Sequence, residues 1–515
     1  MSDTRDRAVQ AIELLEELAG DLRKLADLDE DLRIRLSTAA GQLSRPDKHM
    51  RKQLGKVLAR QRFHAKREAD RALLDETGIR QLRKETVFRT PLPKPEFQAL
   101  DEAVRDDDGE IDPWAEAEAR REDGSPRVET ARMCYVCKRD FHELHHFYDQ
   151  MCPECAALNW QKREQTADMR GRVVMITGAR VKIGYQAAIM LLRAGADVIV
   201  ATRFPRDAAR RFGKEVDARD WMHRLHVYGI DLRHTPSVEL FARHLLSTQT
   251  RLDGLINNAC QTVRRASGWY DHVVDGEGEP EDAFARMVLD RNHMMLGSGE
   301  GLEHVGSHAI QATGLWKSAV LSQVPLLAED LERGEHLYPQ GRLDQDLQQV
   351  DMRDSNTWRM TLADVPTAEL LEVHLVNVAA PFVLNARLRP LLAAVPTNDA
   401  HVVNVSAMEG QFYRRWKTDK HPHTNMAKAA LNMMTRTSAI DYVKDGIHMN
   451  SVDTGWVTDE DPQHHALRKQ AVHNFHPPLD IVDGAARIID PIFDGLNTGK
   501  HVWGLFLKDY KPAPW

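Results

Sequence analysis

At 515 residues the chain is too long for one compact core, and two or three domains are expected. With 42% hydrophobic and 28% charged residues and a mean hydropathy of −0.49, the composition is that of a soluble protein. The net charge of −8 is too mild and too negative for a molecule that binds polyanions as a whole, so nucleic acid is not an expected partner.

No apolar run approaches the roughly 18 residues that cross a bilayer. The opening stretch MSDTRDRAVQAIELLEEL is charged and amphipathic, without a signal-peptide core. No membrane association is expected, and the cytoplasm is the expected location. Of five cysteines, four cluster at 134–155, which in a reducing compartment points to a metal rather than to disulfides.

In chain order, residues 1–90 read as helical. Ile12, Leu15, Leu18, Leu22, Leu25, Leu32 and Leu36 recur three or four apart, ending at Ser44-Arg45-Pro46. A second, basic helix runs from about His49 to Leu74, with Arg51, Lys52, Lys56, Arg60, Arg62, Lys66, Arg67 and Arg71; a helical hairpin is the plain reading. This charge run is a solvated face or a dock for nucleic acid or an acidic partner, and with Phe63 the single Phe, Tyr or Trp within it there is little to stack bases. Residues 91–130, with Pro91, Pro93, Pro95 and an acidic run at 106–110, read as a linker.

Residues 131–168 form a cysteine module. Cys134, Cys137, Cys152 and Cys155 give C-x2-C-x14-C-x2-C, and each two-residue spacing lets a tight turn aim two thiolates at one tetrahedral ion. Four thiolates suit Zn²⁺ or iron–sulfur iron, and the absence of redox partners favours zinc. Four protein ligands close the shell, so a structural Zn²⁺ is expected. His142, His145 and His146 between the pairs leave a Cys3His variant open.

From 169 to the C-terminus the pattern changes. Seven short β-branched runs (RVVMITG, ADVIVATR, LHVYGIDL, LDGLINNA, HVVNVSA, IHMNSVDTG and HVWGLFL) alternate with helical segments. This predicts an α/β fold of the Rossmann-like, doubly wound parallel type. More than a hundred residues separate the fourth and fifth runs, so an insertion is expected at about 260–366. It begins on the ligand-binding edge of such a sheet, where Gly297–Gly301, Trp269, Tyr270, Met294 and Met295 suit a substrate lid; an oligomerisation arm is the alternative.

The first strand delivers Thr177-Gly178-Ala179-Arg180-Val181-Lys182-Ile183-Gly184 into a helix, the glycine-rich turn that brings a pyrophosphate to a helix N-terminus. Asp231-Leu232, then Asn257-Asn258-Ala259, then a helix bearing Lys428 follow at the right intervals. Over about 170–515 the chain resembles the short-chain dehydrogenase/reductase family. The resemblance implies that Gly178, Arg180, Ile183 and Gly184 line the pyrophosphate and that Asp231 and Leu232 frame the adenine. Asn257, with Ala259 beside it, would stabilise the central strands, and Thr454-Gly455-Trp456-Val457 would hold the nicotinamide carboxamide. Lys182 takes the family's second glycine position, where pteridine reductases similarly carry an arginine. Strand two ends at Thr202-Arg203 with no carboxylate for a ribose 2′-hydroxyl; Arg203, with Lys182 or Arg206, can pair a 2′-phosphate, so NADP(H) is the expected cofactor.

For catalysis the resemblance places Asn377 as the structural asparagine and Lys428 as the lysine. Ser406 lies one residue before the usual serine position, which Ala407 occupies. The tyrosine is missing: four residues before Lys428 stands Thr424, whose hydroxyl is far less acidic than a phenol. Tyr413 is the favoured substitute, then His421, whose spacing of seven before Lys428 resembles the tyrosine position of enoyl reductases, then His423. The expected function is an NADP(H)-dependent oxidoreductase acting on a small, carbonyl-like substrate. The alternative is a catalytically silent NADP(H)-binding protein that contacts a protein partner through its cysteine module and basic helix. The family's habit of associating through the helices bearing Asn377 and Lys428 implies a homo-oligomer.

Overall fold

The computed structural model describes residues 2–93, 126–279, 282–296, 318–332, 334–413, 417–473 and 476–515. Most of the anticipated linker, at 94–125, and the glycine-rich stretch 297–301 lie outside them. The chain divides into two compact units, Met1–Ala72 and Leu73–Trp515.

The first unit is helical: α1 (Ser2–Gly20), α2 (Glu30–Ser44) and most of α3 (Lys48–Asp75). The helical stripe read from Ile12 to Leu36 is interrupted between α1 and α2. Asp21 accepts a hydrogen bond from the Arg23 amide at 3.1 Å and Asp29 one from the Leu32 amide at 2.8 Å, so two aspartates restart the backbone as N-caps.

In the second unit a two-stranded antiparallel ribbon, β1 (Arg127–Met133) with β2 (Asp140–Glu143), leads into α4 (Pro153–Arg163). An eight-stranded sheet follows, in the order β10-β9-β8-β7-β6-β3-β4-β5. Its strands are β3 (Val173–Thr177), β4 (Asp197–Thr202), β5 (Leu225–Gly229), β6 (Gly254–Asn257), β7 (Ala400–Ser406), β8 (Ile447–Asp453), β9 (Phe506–Lys508) and β10 (Lys511–Ala513). Only β10 runs antiparallel. The predicted doubly wound α/β class is what the chain adopts. The order reverses at β3, which pairs with both β4 and β6 and so opens a crevice at the carboxyl ends of the strands.

Both faces are covered, which is why the strands read as continuous apolar runs. On one face pack α5 (Lys182–Arg193), α6 (Pro205–Phe212) and α14 (Ile481–Thr498), through Ile189, Leu192, Phe212, Ile488 and Phe493. On the other pack α7 (Thr235–Thr248), α10 (Thr367–Ala393) and α11 (Pro422–Tyr442), through Phe241, Leu384, Leu388 and Tyr442. Helix α10 is long and apolar enough to cross a membrane, with a mean hydropathy of 1.3, although no such run was expected. Its Leu384, Leu388 and Leu392 are buried against the sheet.

Within the insertion, α8 (Asp271–Glu277) and α9 (Ala283–Leu296) close over the β4–β5 side, where Ala285, Val288 and Leu289 join the sheet-face core. Two short helices follow later, the 3₁₀ turn α12 (Val443–Asp445) and α13 (Gln463–His473). A buried ionic chain ties the insertion to the sheet. Arg264 holds Asp330 at 2.6 Å and Glu372 at 3.1 Å, and Glu372 accepts from Arg233 at 2.7 Å.

Candidate active site

The turn after β3 and the loop after β6 approach closely. Gly178 has φ +71, and a Cβ there would lie 2.7 Å from the Ala259 backbone, so only glycine fits. The Ala259 amide donates to Thr177 Oγ1 at 3.0 Å, and the Asn258 amide group donates to the carbonyls of Thr177 and Gly178 at 3.1 Å each. Lys182 adopts φ +57, the left-handed backbone that a glycine would take more easily.

These loops floor a cavity of about 510 Å³ at the switch point. Gly178, Arg180, Lys182, Ile183 and Gly184 line it from one side, Arg203, Asp231 and Leu232 from another, and Ala259 from a third. Trp269, Tyr270 and Val350 of the insertion, together with Thr458 and Glu460 after β8, complete the wall. Of the residues expected to cover a ligand, Trp269 and Tyr270 therefore sit at the cavity; the side chains of Met294 and Met295 lie outside the described residues.

The electrostatics are mixed. Asp231 is buried and gripped by Arg233 at 2.7 Å, which holds its carboxyl below the ordinary value against the opposing effect of burial. Arg180 turns away from open space to Asp207 at 2.6 Å and Gln348 at 2.5 Å. Arg203 donates to the Tyr270 hydroxyl at 2.8 Å, with its guanidinium 4.8 Å from that ring's centre. Arg206, the other cation considered for the 2′-phosphate, is drawn off: its guanidinium and its amide both bind Glu277 of α8. Glu460 is half-buried, yet its carboxyl is held low because Lys182 and Arg265 offset desolvation.

Asn257 stabilises the central strands and does not line the cavity: its amide group donates to Asn385 and Asn404 at 2.8 Å each, clamping β6 to β7 and α10, while Asn258 faces the cavity. Two cofactor expectations change, because Gly455 and Val457 stand back from it. Val457 is buried in the core of the cysteine module, and the residues that reach the cavity are Thr458–Asp461.

At the catalytic end, Asn377 sits where α10 widens into one π-helical turn, Leu375–Ala379, and its side chain brackets the backbone of Gln261 at 2.8 and 3.1 Å. Lys428 is buried and its ammonium donates to the Val405 carbonyl at 2.7 Å. Ser406 points to the Lys428 carbonyl, at 3.5 Å, as strand alternation dictates for a residue one out of register. Tyr413, the favoured proton donor, is 96% exposed in the loop after β7 and is removed from this role. Thr424 is buried, donating to the His421 carbonyl at 2.8 Å and accepting from His421 Nδ1 at 3.1 Å. The His421 ring stacks flat on Trp358, centroids 3.9 Å apart and planes within 4°. Burial lowers its pKa, with Glu409 opposing, so the imidazole is neutral at pH 7. His423 faces Glu369 at 3.6 Å. Trp358, from the insertion, was not foreseen; no spacing in the sequence pairs it with His421.

Two family models match in chain order. One, described as short chain dehydrogenase, covers residues 172–273; the other, described as enoyl-(acyl carrier protein) reductase, covers 341–476. The chain belongs to the short-chain dehydrogenase/reductase family. An uncharacterized protein of Acanthamoeba polyphaga mimivirus is 29% identical over 70% of this chain and 71% of its own length. Human retinol dehydrogenase 13 is 32% identical over 25% of this chain, which spans 35% of that protein. Among solved structures, Pseudomonas aeruginosa RhlG with NADP aligns with a TM-score of 0.40 at 16% identity, over 66% of this chain and 95% of that one. A Burkholderia cenocepacia short chain dehydrogenase with NADP aligns with a TM-score of 0.41 at 16% identity, over 66% of this chain and 97% of that one.

Alongside this family fold, the four cysteines converge, every sulfur within 4.8 Å of the others, and Cys137 and Cys152 are 3.7 Å apart. Tetrahedral Zn–S bonds of about 2.3 Å place sulfurs roughly 3.8 Å apart, so the cluster fits the ion. Arg139, hydrogen-bonded to Cys137, pulls that thiol's pKa down. The three intervening histidines lie outside the cluster. The module is fused to the oxidoreductase fold: Tyr148 donates to Asp483 and Arg163 to Asp480 at the N-terminus of α14, while the Tyr135 hydroxyl accepts from the Trp456 amide at 3.0 Å.

Proposed function

We propose that the chain is an NADP(H)-dependent reductase of a small carbonyl-like substrate, with a structural Zn²⁺ on Cys134, Cys137, Cys152 and Cys155. The observation that carries the cofactor assignment is Arg203, a cation rather than a carboxylate at the end of β4, facing the switch-point cavity. NADPH supplies a hydride when bound. Gly178, Gly184 and Asn258 shape the turn that receives its pyrophosphate, and Lys182 and Arg203 offer the positive charge. Trp269 and Tyr270 exclude water from above.

The proton falls to His421. With its Nδ1–H given to Thr424, the other ring nitrogen is the one that exchanges a proton. Thr424 thus positions the imidazole from the place the family gives to its tyrosine. Lys428 and Asn377 hold backbone, at Val405 and Gln261, and are positioning residues here. Exposed Phe382 on α10 and Met426, Met433 and Ile440 on α11 support association of two copies through these helices, in a reducing, cytoplasmic setting that keeps the thiols free for metal.

The test is consumption of NADPH and NADH over a panel of aldehydes, ketones and imines. Turnover with NADPH is expected, and His421→Asn should reduce it by roughly 10²-fold or more with NADPH affinity kept. Binding of NADPH with no turnover on any compound would favour the silent cofactor-binding protein. Turnover unchanged in His421→Asn would assign the proton elsewhere.

A further inference from the structure

The opposite, amino-terminal edge of the sheet carries three histidines that the oxidoreductase site does not use. His401 on β7 and His448 on β8 are register partners, so their rings emerge side by side on one face. His501 follows α14 and turns back to them, with its Nδ1 2.9 Å from His401 Nε2. The three ring centroids are 4.9 to 5.3 Å apart, and one nitrogen from each ring lies within 4.8 Å of the other two. We propose that His401, His448 and His501 form a second metal site, for one divalent transition ion of the Zn²⁺, Co²⁺ or Ni²⁺ kind.

Three features make this a built site. His448 Nδ1 faces the Ala400 carbonyl at 3.3 Å, and a proton held there leaves Nε2 with its lone pair free, the arrangement that metal-binding histidines use. His401 is 0% exposed, and its Nδ1 finds no partner among the described residues, so the ring is held by packing with Nε2 turned to the cluster. Gly495 of α14 supplies the space. A Cβ at that position would stand 2.5 Å from His501 Nδ1 and 3.3 Å from His401 Nε2, close against the two facing nitrogens. Imidazole nitrogens around a tetrahedral ion at about 2.0–2.1 Å lie roughly 3.4 Å apart, within reach of small ring rotations. The nearby cation Arg172 is neutralised by Asp399 and Asp253 and does not repel the ion. Three protein ligands leave the fourth position to water, which half-buried His448 and His501 admit.

The experiment measures metal per chain in the purified full-length protein after Zn²⁺ or Co²⁺ loading and removal of loose ion. His448→Gln and His501→Gln should each lose one equivalent, and the cobalt-loaded variants should keep the thiolate charge-transfer bands of the cysteine site. Cys152→Ser should show the reverse. Gly495→Ala, which leaves every ligand in place, should weaken the site by at least tenfold. For the histidine and Gly495 variants, NADPH binding and an unchanged melting profile report that the chain is folded. Equal metal content in wild type, His448→Gln and His501→Gln overturns the site and leaves the three rings as a hydrogen-bonded cluster.

Discussion

Replacing Arg203 tests how the cavity selects its cofactor. The guanidinium sits just past β4, with neutral partners among the described residues: the Tyr270 hydroxyl at 2.8 Å, the Tyr270 ring at 4.8 Å and the Phe204 ring at 5.6 Å. Its charge is oriented without being cancelled by a carboxylate pair, so a 2′-phosphate gains the full charge-assisted bond. Losing that bond costs about 1.5–3 kcal/mol, and Arg203→Ala should weaken NADPH by roughly 10- to 150-fold. NADH lacks the phosphate and should weaken by less than about threefold, the scale of a lost cation–π contact. Arg203→Lys keeps the charge without the planar fork and should fall between. Tyr270→Phe keeps the ring but frees the guanidinium, and a smaller loss confined to NADPH is expected. Calorimetric titration of both cofactors at one fixed salt concentration reads these values. Equal losses for NADPH and NADH in Arg203→Ala, or a wild type that prefers NADH, would refute the reasoning.

Removing the metal, or changing Tyr135 to Phe, should weaken NADPH binding as well as stability, because Tyr135 holds the Trp456 amide and the module's core contains Val457; cofactor titration before and after chelation checks it. Glu460→Gln removes a half-buried carboxylate that competes for Lys182 and Arg265, and a gain in NADPH affinity of about fivefold, near 1 kcal/mol, is expected by the same titration. Arg264→Met leaves Asp330 buried without its cation and Glu372 with Arg233 alone, and a loss of about 3–5 kcal/mol should appear in the urea midpoint.

Much of the fold was legible because each buried parallel strand is a local event: a β-branched run closed by a turn. All seven predicted runs meet strands β3 to β9, although the last shrinks to Phe506–Lys508 because His501 and its neighbours form the loop after α14. The glycine turn was equally local. The sequence alone did not reveal that Asn258 would face the cavity, since strand alternation at β6 decides that only once its neighbours are known. The docking of the cysteine module on Val457 and on the N-terminus of α14 joins residues more than 300 apart, and no pattern of spacing encodes it. Tyr413 failed as a donor for a related reason: family chemistry asked for a phenol, but Tyr413 and its neighbour Phe412 both stand exposed in the loop after β7.

Retention of the family's asparagine and lysine does not by itself argue for catalysis here. A buried ammonium must find an acceptor, and with no phenol at 424 Lys428 takes the Val405 carbonyl at 2.7 Å; Asn377 bridges Gln261, where the insertion begins. Both roles would persist in a protein that did no chemistry. His421 is different. It holds a left-handed backbone, φ 43, that costs a non-glycine residue on the order of 1 kcal/mol. An N-cap position at the head of α11 does not require that conformation, since extended backbone serves there equally well. The conformation is paid off in placement: it accompanies an imidazole laid flat on Trp358 with Nδ1 against the Thr424 hydroxyl. A strained residue that orients a neutral imidazole beside the family's tyrosine position supports the proposal that His421, rather than the retained lysine, handles the proton.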